Sequence, residues 1–476
     1  MAVHPYPRSG HPLATLTLAV ALGVAGGCKH FEPAPLSAAE SAAALERRSL
    51  DDPGLKALFD EVRPGTWPRV QWDLTALTLA ALYFHPNLDV ARAQWRVAEA
   101  GVRTAGALPN PTLIVVPQYV ANAGGSPAWD VTSALDWPIE TAGKRGHRIE
   151  RAEQLERSAR LGLDSAAWQV RAALRASLLE FAAASGRAEQ LRREEAAQSD
   201  VVALLEQRVR AGAASAAEVA PARIAALQSA ADLTEAERQQ REARVRVAEA
   251  IGLTPAALEG VELAFPLEAP PAGGDAAPKE LRRQALQERP EVLAALAGYE
   301  ATQAELKLEI ARQYPDLRVG PGYEYDQGLN KWSTIGISVE LPVMNRNQGP
   351  IAEAEARRSE AAARFLALQA AVIGELERAL ANRASAREAL ARSEAALAAV
   401  RDRERRTRQA LAAGATDRIA WDVAQVELVR AERIQLDALV RLQQSIGDVE
   451  AAVQQPLELG GTVERGRPAP SGAGAP

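Results

Sequence analysis

The stretch WDVTSALDWPIETAGKRGHRIERAE, residues 129–153, changes its periodicity part of the way along. Up to Pro138 it alternates between apolar and polar or small side chains, which is typical of a β-strand. The apolar face carries Trp129, Val131, Leu135 and Trp137. From Lys144 the chain then runs 68 residues to Ala211 without proline, enough for a helix of about 100 Å. The sequence therefore predicts a strand that leads into one very long helix.

The same junction occurs twice. WSTIGISVELPVMNRNQGPIAEAEA, residues 332–356, again alternates up to a proline and then becomes helical. Its apolar face carries Ile335, Ile337, Val339 and Leu341. Three proline pairs keep an offset of 204 residues: Pro86 and Pro290, Pro111 and Pro315, Pro138 and Pro342. Internal repetition at a fixed offset indicates two copies of one structural unit.

The repeat predicts the organisation of the whole chain. We expect a mainly α-helical protein with a small β part, in which each copy is a helix, a β-hairpin and a long helix. The predicted segments are a lipoprotein-type signal peptide (1–27), an N-terminal periplasmic segment (28–73), the first repeat (74–255, with strands at about 111–120 and 129–138), a Pro/Gly-rich linker (256–278), the second repeat (279–456, with strands at about 315–325 and 332–342) and a disordered tail (457–476).

Helix lengths predict how each copy assembles. A leading helix over 74–106 and a return helix over 213–252 together match the length of 144–211, and 279–312 with 415–453 match 349–413 in the same way. Two short helices stacked end to end can therefore lie beside one long helix. Gly212 and Gly414 would form left-handed turns at the hairpin tips. At the strand–helix junctions, Pro138 and Pro342 would end the strands, while Gly143, Gly146 and Gly349 would let the chain pivot.

The first residues have the pattern of an export signal. Arg8 precedes an uncharged run over 13–24, which small residues and then Cys28 follow. The run is too short to cross a bilayer as a helix. A cysteine directly after small residues resembles a bacterial lipoprotein cleavage site, so Cys28 is a predicted lipidation site and the mature chain would be lipid-anchored. Ordinary cleavage nearby, with Cys28 uninvolved, is the alternative.

Composition argues against several functions. Net charge is -6, so no strong field would draw the chain to nucleic acid. Five scattered histidines and one cysteine give no metal-ligand spacing, and no nucleophile elbow or phosphate loop is present. We therefore predict no catalytic residues, no metal site, no cofactor and no nucleic-acid partner.

The hairpins instead suggest a membrane. Six of the 21 aromatic residues lie in the four predicted strands, as an interfacial belt requires. Beyond Val24 no run of 18 apolar residues exists, so any membrane passage would be made of strands. Four strands cannot close a barrel, so this interpretation requires oligomerisation. A soluble hairpin with one buried face would alternate in the same way.

In their order and twofold recurrence these features resemble the outer-membrane efflux (TolC-type) channel family. The junction segments 137–153 and 341–356 and the tip segments RVRAGAASAAEV (208–219) and AAGATDRIAWDVAQ (412–425) carry the resemblance, which covers nearly the whole mature chain. The motif PIETAGKR resembles the heavy-metal (cobalt–zinc–cadmium) resistance-nodulation-division branch.

The resemblance implies a homotrimer with a 12-stranded barrel in outer-membrane lipid and a periplasmic α-helical barrel. Its tips would dock on a periplasmic adaptor bound to an inner-membrane resistance-nodulation-division transporter. Gly212, Gly414, Arg208 and Glu218 match the family's docking tip, whereas the second tip has Ala410 and Ala420 in place of the two charges.

The predicted function is a passive exit duct, in the outer membrane of a Gram-negative bacterium, for a tripartite pump whose substrate could be heavy-metal cations. Asp417, Arg418 and Asp422 are candidates for charges that gate the periplasmic end, or alternatively a solvated helix face. The alternative function is an exported coiled-coil structural or adaptor protein without a pore.

Overall fold

The structure is a computed structural model that describes residues 29–67, 71–121, 129–268, 277–326 and 328–457. Cys28, the predicted signal peptide and nearly all of the predicted tail lie outside the described residues. The chain divides into two units, residues 1–47 and 48–476. The described part of the first unit holds one helix, α1 (Ala38–Glu46), whose first turn is capped by the Ser37 hydroxyl.

The second unit contains the repeat. The elements of its first half are α2 (Pro53–Val62), β1 (Gln71–Trp72), α3 (Leu74–Phe84), α4 (Pro86–Gly106), β2 (Thr112–Tyr119), β3 (Trp129–Ile139), α5 (Lys144–Arg210), α6 (Ala216–Ile251) and β4 (Glu262–Leu263). The second half contributes α7 (Pro278–Gln287), α8 (Pro290–Ala311), β5 (Leu317–Asp326), β6 (Leu329–Val339), α9 (Gln348–Ala412) and α10 (Arg418–Val453). The predicted mainly helical, duplicated fold is confirmed.

The two leading helices differ from the prediction, because each is broken in two. The helix expected over 74–106 breaks between α3 and α4, and the one expected over 279–312 breaks between α7 and α8. His85 and Arg289, the residues before Pro86 and Pro290, are extended, with ψ of 121° and 122°. The proline ring disfavours a helical conformation for the residue before it, so each proline starts a new helix.

The four long strands form one antiparallel sheet in the order β2-β3-β5-β6. Both hairpins have the same register: Leu113 pairs with Leu135, and Leu317 with Val339, each 204 residues further along. Between the hairpins, Ile139 pairs with Leu317. The sheet is open at both ends, since β2 and β6 each pair with one strand within the described chain.

The strand ends correct two predicted junction roles. β3 continues one residue past Pro138, because Ile139 still pairs with Leu317 of β5. β6 ends at Val339, three residues before Pro342, so Pro342 does not end the strand. Beyond Val339, β5 supplies no further partner residue and the other side of β6 is open. The second hairpin is also tighter than predicted, since Asp326 pairs with Leu329 and Gly328 has a φ of 100°.

The long helices pack side by side. α5 packs against α4, α6, α8 and α10, and α9 packs against α8 and α10. One buried stripe along α9 recurs at spacings of three and four residues and contains Val372, Leu376, Ala379, Ala386 and Leu397. Among the described helices, none has an apolar stretch long enough to cross a membrane.

Two apolar cores lie where the short helices meet the long ones. In the first, Phe59 of α2 and Ile251 of α6 pack with Leu174 of α5. In the second, Leu281 of α7 packs with Leu376 of α9 and Val449 of α10. Part of the predicted linker belongs to the first core. Leu258, which ends a 3-10 helix (Pro255–Leu258), is buried in this core, and Leu263 of β4, the strand that pairs with β1, packs against it.

Candidate functional site

The two faces of the sheet differ in chemistry. One face presents the neighbouring rings of Tyr119 and Trp129, with centroids 5.4 Å apart, and of Tyr323 and Trp332, 4.7 Å apart. Ile335 and Ile337 on this face are 70% and 71% exposed. The other face carries ion pairs, including Arg318 with Asp136 at 2.7 Å and Lys331 with Asp326 at 2.8 Å. An exposed apolar face with aromatic pairs and a charged opposite face fits contact with lipid on one side and water on the other.

The first strand–helix junction is held by polar contacts to the start of β5. Gly143 precedes α5 with a φ of 72°, a left-handed conformation that glycine adopts without strain. The Thr141 hydroxyl donates to the Pro315 carbonyl at 2.6 Å. The buried Lys144 ammonium donates to the Tyr314 carbonyl at 2.6 Å and to Asp316 at 2.7 Å. These contacts fix the angle at which the strand enters the long helix.

The second junction uses Asn347 where the first uses Gly143, and this corrects the predicted role of Gly349. Asn347 lies 204 residues after Gly143 and has a φ of 62°, whereas Gly349 lies inside the first turn of α9. Asparagine tolerates left-handed geometry better than most residues, and the side-chain NH2 group of Asn347 also donates to the Glu309 carbonyl at 2.8 Å. Gly146 likewise lies inside α5.

Both tips have the same backbone geometry. Gly212 and Gly414 have φ of 69° and 70°. The amide of Ala213 donates to the Arg208 carbonyl at 2.8 Å, and that of Ala415 to the Ala410 carbonyl at 2.8 Å. These bonds close each long helix with a Schellman-type end that requires a left-handed residue.

The residues after each tip glycine begin the return helix. In the first tip, Ser215 and Glu218 form a capping box in which the Ser215 amide donates to the Glu218 carboxylate at 2.9 Å. This bond from the Ser215 backbone, together with one from its hydroxyl, lowers the pKa of Glu218. In the second tip, the Asp417 carboxylate takes the cap position and accepts from the Ala420 amide at 2.9 Å.

The structure brings the predicted gate charges together with one tip residue. Arg208 of the first tip lies 3.3 Å from Asp417 of the second, and both side chains are exposed. Arg418 pairs with the buried Asp422 at 3.0 Å. Burial raises the pKa of Asp422 although the Arg418 guanidinium opposes this shift, and the negative charge of Asp200 adds to it.

Two residues near the second tip, Trp421 and Glu404, were not anticipated from the sequence. The Arg418 guanidinium lies over the Trp421 ring, 4.3 Å from its centroid. The Trp421 indole donates to the Glu404 carboxylate at 3.1 Å. The sequence does contain a signal for Trp421, since it is a tryptophan close to a tip glycine in a chain with few aromatic residues. Trp421 thus connects the end of α9 to the start of α10.

A series of ion pairs follows the seam between α5 of the first repeat and α10 of the second. Nearest the apolar cores, the buried Arg175 donates to the Gln443 carbonyl at 2.8 Å and lies 3.4 Å from the buried Glu450 carboxylate. Further pairs towards the tips are Arg187 with Asp437 at 2.7 Å, Glu194 with Arg430 at 2.9 Å, and Arg208 with Asp417 at 3.3 Å. Glu450 and Glu194 are both buried, so the seam has one buried carboxylate near the cores and another further towards the tips.

Within residues 29–67, 71–121, 129–268, 277–326 and 328–457, no group of three or more His, Cys, Asp or Glu side chains is placed to hold a metal ion.

Comparison with known proteins shows where this arrangement occurs. A family model described as "Outer membrane efflux protein" matches residues 79–253 and 281–455. The cobalt-zinc-cadmium resistance protein CzcC of Cupriavidus metallidurans is 30% identical over 302 residues, which cover 61% of this chain and 68% of CzcC.

Solved structures share the fold at low sequence identity. The outer membrane protein VceC of Vibrio cholerae is 19% identical with a TM-score of 0.66, over 81% of this chain and 97% of VceC. The MtrE outer membrane channel of Neisseria gonorrhoeae is 18% identical with a TM-score of 0.65, over 81% and 89%. CusC is 17% identical with a TM-score of 0.64, over 80% and 91%.

Proposed function

The chain belongs to the outer membrane efflux protein family, and from this premise we propose that three copies of it form the exit duct of a tripartite pump. The family predicted from the sequence is confirmed, and with it an outer-membrane efflux channel. This family decides between the two functions considered from the sequence and favours the channel over a coiled-coil protein without a pore.

The observation that carries the trimer is the open sheet with one exposed apolar face. Lipid does not tolerate unpaired strand edges, so β2 and β6 need partners from other copies. Three four-stranded sheets would give a 12-stranded barrel with the aromatic face towards lipid and the charged face towards a water-filled lumen. Substrate then passes without a chemical step.

We assign adaptor docking to the two tips. Gly212 and Gly414, with Arg208 and Glu218, would meet the periplasmic adaptor, and an inner-membrane resistance-nodulation-division transporter would supply the energy. The support is that both tips share one backbone geometry and expose small residues. Glu218 acts through the capping box that fixes the start of α6.

We assign gating to the charges that join the tips. Arg208 and Asp417 would hold the closed periplasmic end, and Arg418 with Asp422 would keep the start of α10 in place. Asp417→Ser separates the two roles of Asp417, because serine keeps the helix cap, as Ser215 does in the first tip, but removes the charge. If the assignment holds, Asp417→Ser and Arg208→Ala each raise single-channel conductance of the purified protein. Unchanged conductance in both variants would contradict it.

The substrate proposed is divalent heavy-metal cations. CzcC is by name a cobalt-zinc-cadmium resistance protein. A cell that lacks the gene for this chain should become sensitive to cobalt, zinc or cadmium. Reintroducing the intact gene should restore resistance. Normal metal resistance in the deletion strain, with lost resistance to organic compounds, would contradict the metal assignment and keep the efflux channel.

Lipid anchoring at Cys28 is a separate proposal. It rests on the cysteine that follows the small residues 25–27. The intact mass of the mature protein tests it: an acylated N-terminal cysteine supports the anchor, and an unmodified Cys28 still preceded by Gly27 contradicts it.

A further inference from the structure

We propose that the second strand–helix junction is completed by residues 108–115 of a second copy of this chain, in the register that joins the first junction to β5. This inference rests on the proposed trimer and specifies how its copies meet. It makes Val343 the partner of Leu113 of the second copy, and it makes Asn345 and Gln348 donors to the chain just before β2.

The internal repeat supplies the register. The first junction runs past the end of β2 and pairs instead with β5, where Ile139 lies opposite Leu317. Adding 204 to Ile139 gives Val343, and subtracting 204 from Leu317 gives Leu113. Within one chain these two residues lie on opposite edges of the sheet. A second copy placed on the open edge of β6 would therefore repeat the β3–β5 pairing, with its own β2 in the place of β5.

This explains why β6 stops early. Residues 341–343 correspond to 137–139, which are strand because β5 pairs with them. Within the described residues of the single chain, no strand pairs with residues 341–343, and the Val343 backbone amide donates to the Leu341 carbonyl at 2.8 Å, so they are not strand. We expect them to become strand when β2 of a second copy lies alongside.

The polar groups of the second junction are prepared for the same contacts. The Asn345 side-chain oxygen accepts from the backbone amide of Asn347 at 2.9 Å, and the Gln348 side-chain oxygen accepts from the backbone amide of Arg346 at 2.8 Å. In the described chain, the NH2 groups of Asn345 and Gln348 have no hydrogen-bond partner. Asn345 and Gln348 correspond to Thr141 and Lys144, whose side chains donate to the carbonyls of Pro315 and Tyr314. The equivalent acceptors are the carbonyls of Pro111 and Asn110 of the second copy.

The apolar groups are also exposed in complementary places. Val343 is 71% exposed, and Met344, which replaces Glu140 of the first junction, is 93% exposed. Leu108, just before β2, is 68% exposed. Docking would cover these side chains, which belong to a junction that lacks the ion pair of Glu140 with Arg148.

Disulfide cross-linking tests the register. Val343→Cys combined with Leu113→Cys should form a disulfide between chains, because opposed residues of antiparallel strands have Cα atoms about 4.5–5.5 Å apart. A bond within one chain is excluded, since three strand spacings, about 14 Å, separate β2 from β6. The expected result is a covalent ladder up to three chains on a non-reducing denaturing gel.

Matched controls define the outcomes. Val343→Cys with Val115→Cys is a diagonal pair about 7–8 Å apart and should not cross-link. Ile139→Cys with Leu317→Cys should form a bond within one chain. Each single variant keeps Cys28 and shows what that thiol contributes. If native mass shows a trimer that cross-links through the Val115→Cys variant, or one that does not cross-link at all, the register is wrong but the channel stands. A stable monomer would overturn both the register and the channel.

A second pair of variants tests the amide donors without engineered thiols. Asn345→Asp with Gln348→Glu keeps the side-chain oxygens that accept within the chain but removes the NH2 donors, and it should lower the temperature at which the detergent-solubilised trimer dissociates. Arg346→Ala on the same segment should leave that temperature unchanged, because no described contact involves its side chain. Equal behaviour of the two proteins would overturn the assigned hydrogen bonds.

Discussion

At the residue scale, three left-handed positions recur in both repeats and set the chain direction. They are Gly143 and Asn347 before the long helices, Gly212 and Gly414 at the tips, and Gly252 and Gln454 after the return helices. Only the tips keep glycine in both copies. Asn347 compensates with hydrogen bonds to Glu309, and Gln454 with one to Ser165 at 3.4 Å. The exposed tips provide no such partner.

Alanine at either tip glycine should therefore destabilise the turn. A Cβ at Gly212 or Gly414 would meet nothing within 4 Å, so the whole cost is backbone strain, about 1–2 kcal/mol. We expect Gly212→Ala and Gly414→Ala to reduce metal resistance while trimer abundance in the outer membrane stays normal. Gly162→Ala, in open space inside α5, is the control and should be neutral or stabilising. Full resistance with both tip glycines replaced would show that docking occurs elsewhere.

Asp422 should make the second tip sensitive to pH. Its folded pKa is raised by burial, so between the ordinary aspartate pKa of 3.8 and the raised value the folded state binds more protons than the unfolded chain. Stability is therefore lost as pH rises through this window. Asp422→Asn keeps an acceptor for the Arg418 guanidinium but removes the buried charge, so it should raise the unfolding temperature at pH 7, and its advantage should shrink as pH falls. A less stable variant at pH 7 would show that the Arg418 ion pair outweighs the burial.

At the element scale, the seam between α5 and α10 contains the buried carboxylate of Glu450. Its carboxylate lies 3.2 Å from Arg171 and accepts from the Leu457 amide at 3.0 Å. Replacing it with alanine leaves buried arginine charge uncompensated, at a cost of about 3–5 kcal/mol.

Glu450→Ala should accordingly lower the unfolding temperature of the solubilised protein far more than Glu180→Ala. Glu180 also pairs with an arginine, Arg246, at 2.7 Å, but both side chains are exposed, and such pairs contribute about 0–1 kcal/mol. Both variants remove one carboxylate, so net charge is matched. Similar losses in the two variants would mean that the buried pair adds nothing to the seam.

Periodic elements could be predicted from the sequence, and non-periodic contacts could not. The long helix expected over 144–211 is Lys144–Arg210, and the one expected over 349–413 is Gln348–Ala412, because uninterrupted helical pattern fixes both. The breaks before Pro86 and Pro290 follow from the rule that proline disfavours a helical conformation in the residue before it. Matching the helix lengths favoured one unbroken leading helix in each repeat instead. Residues 255–263 pack through a short turn and a two-residue strand, which leave no periodicity.

The site was partly predictable for the same reason. The tip glycines follow from the need for a left-handed turn, and both have that conformation. Asn347 was missed because Gly349 nearby was the more obvious pivot residue. The Arg208–Asp417 contact joins positions 209 residues apart, and nothing local in the sequence indicates it.

At the scale of the whole molecule, the single chain is an incomplete assembly. Its sheet has two open edges, its apolar strand face is exposed, and its second junction carries donors without partners in the described residues. Edge-to-edge joining of copies satisfies the open edges and the donors, and lipid covers the apolar face. The repeat gives the joining rule, because the contact between the two hairpins of one chain is a template for the contact between chains.

Native mass measurement of the protein purified in detergent tests this account most directly. The account predicts a particle of three chains, because only closure of the sheet satisfies both β2 and β6. The measurement should follow removal of excess detergent, so that weakly bound copies separate. A stable single chain that stays dissolved without detergent would contradict the channel.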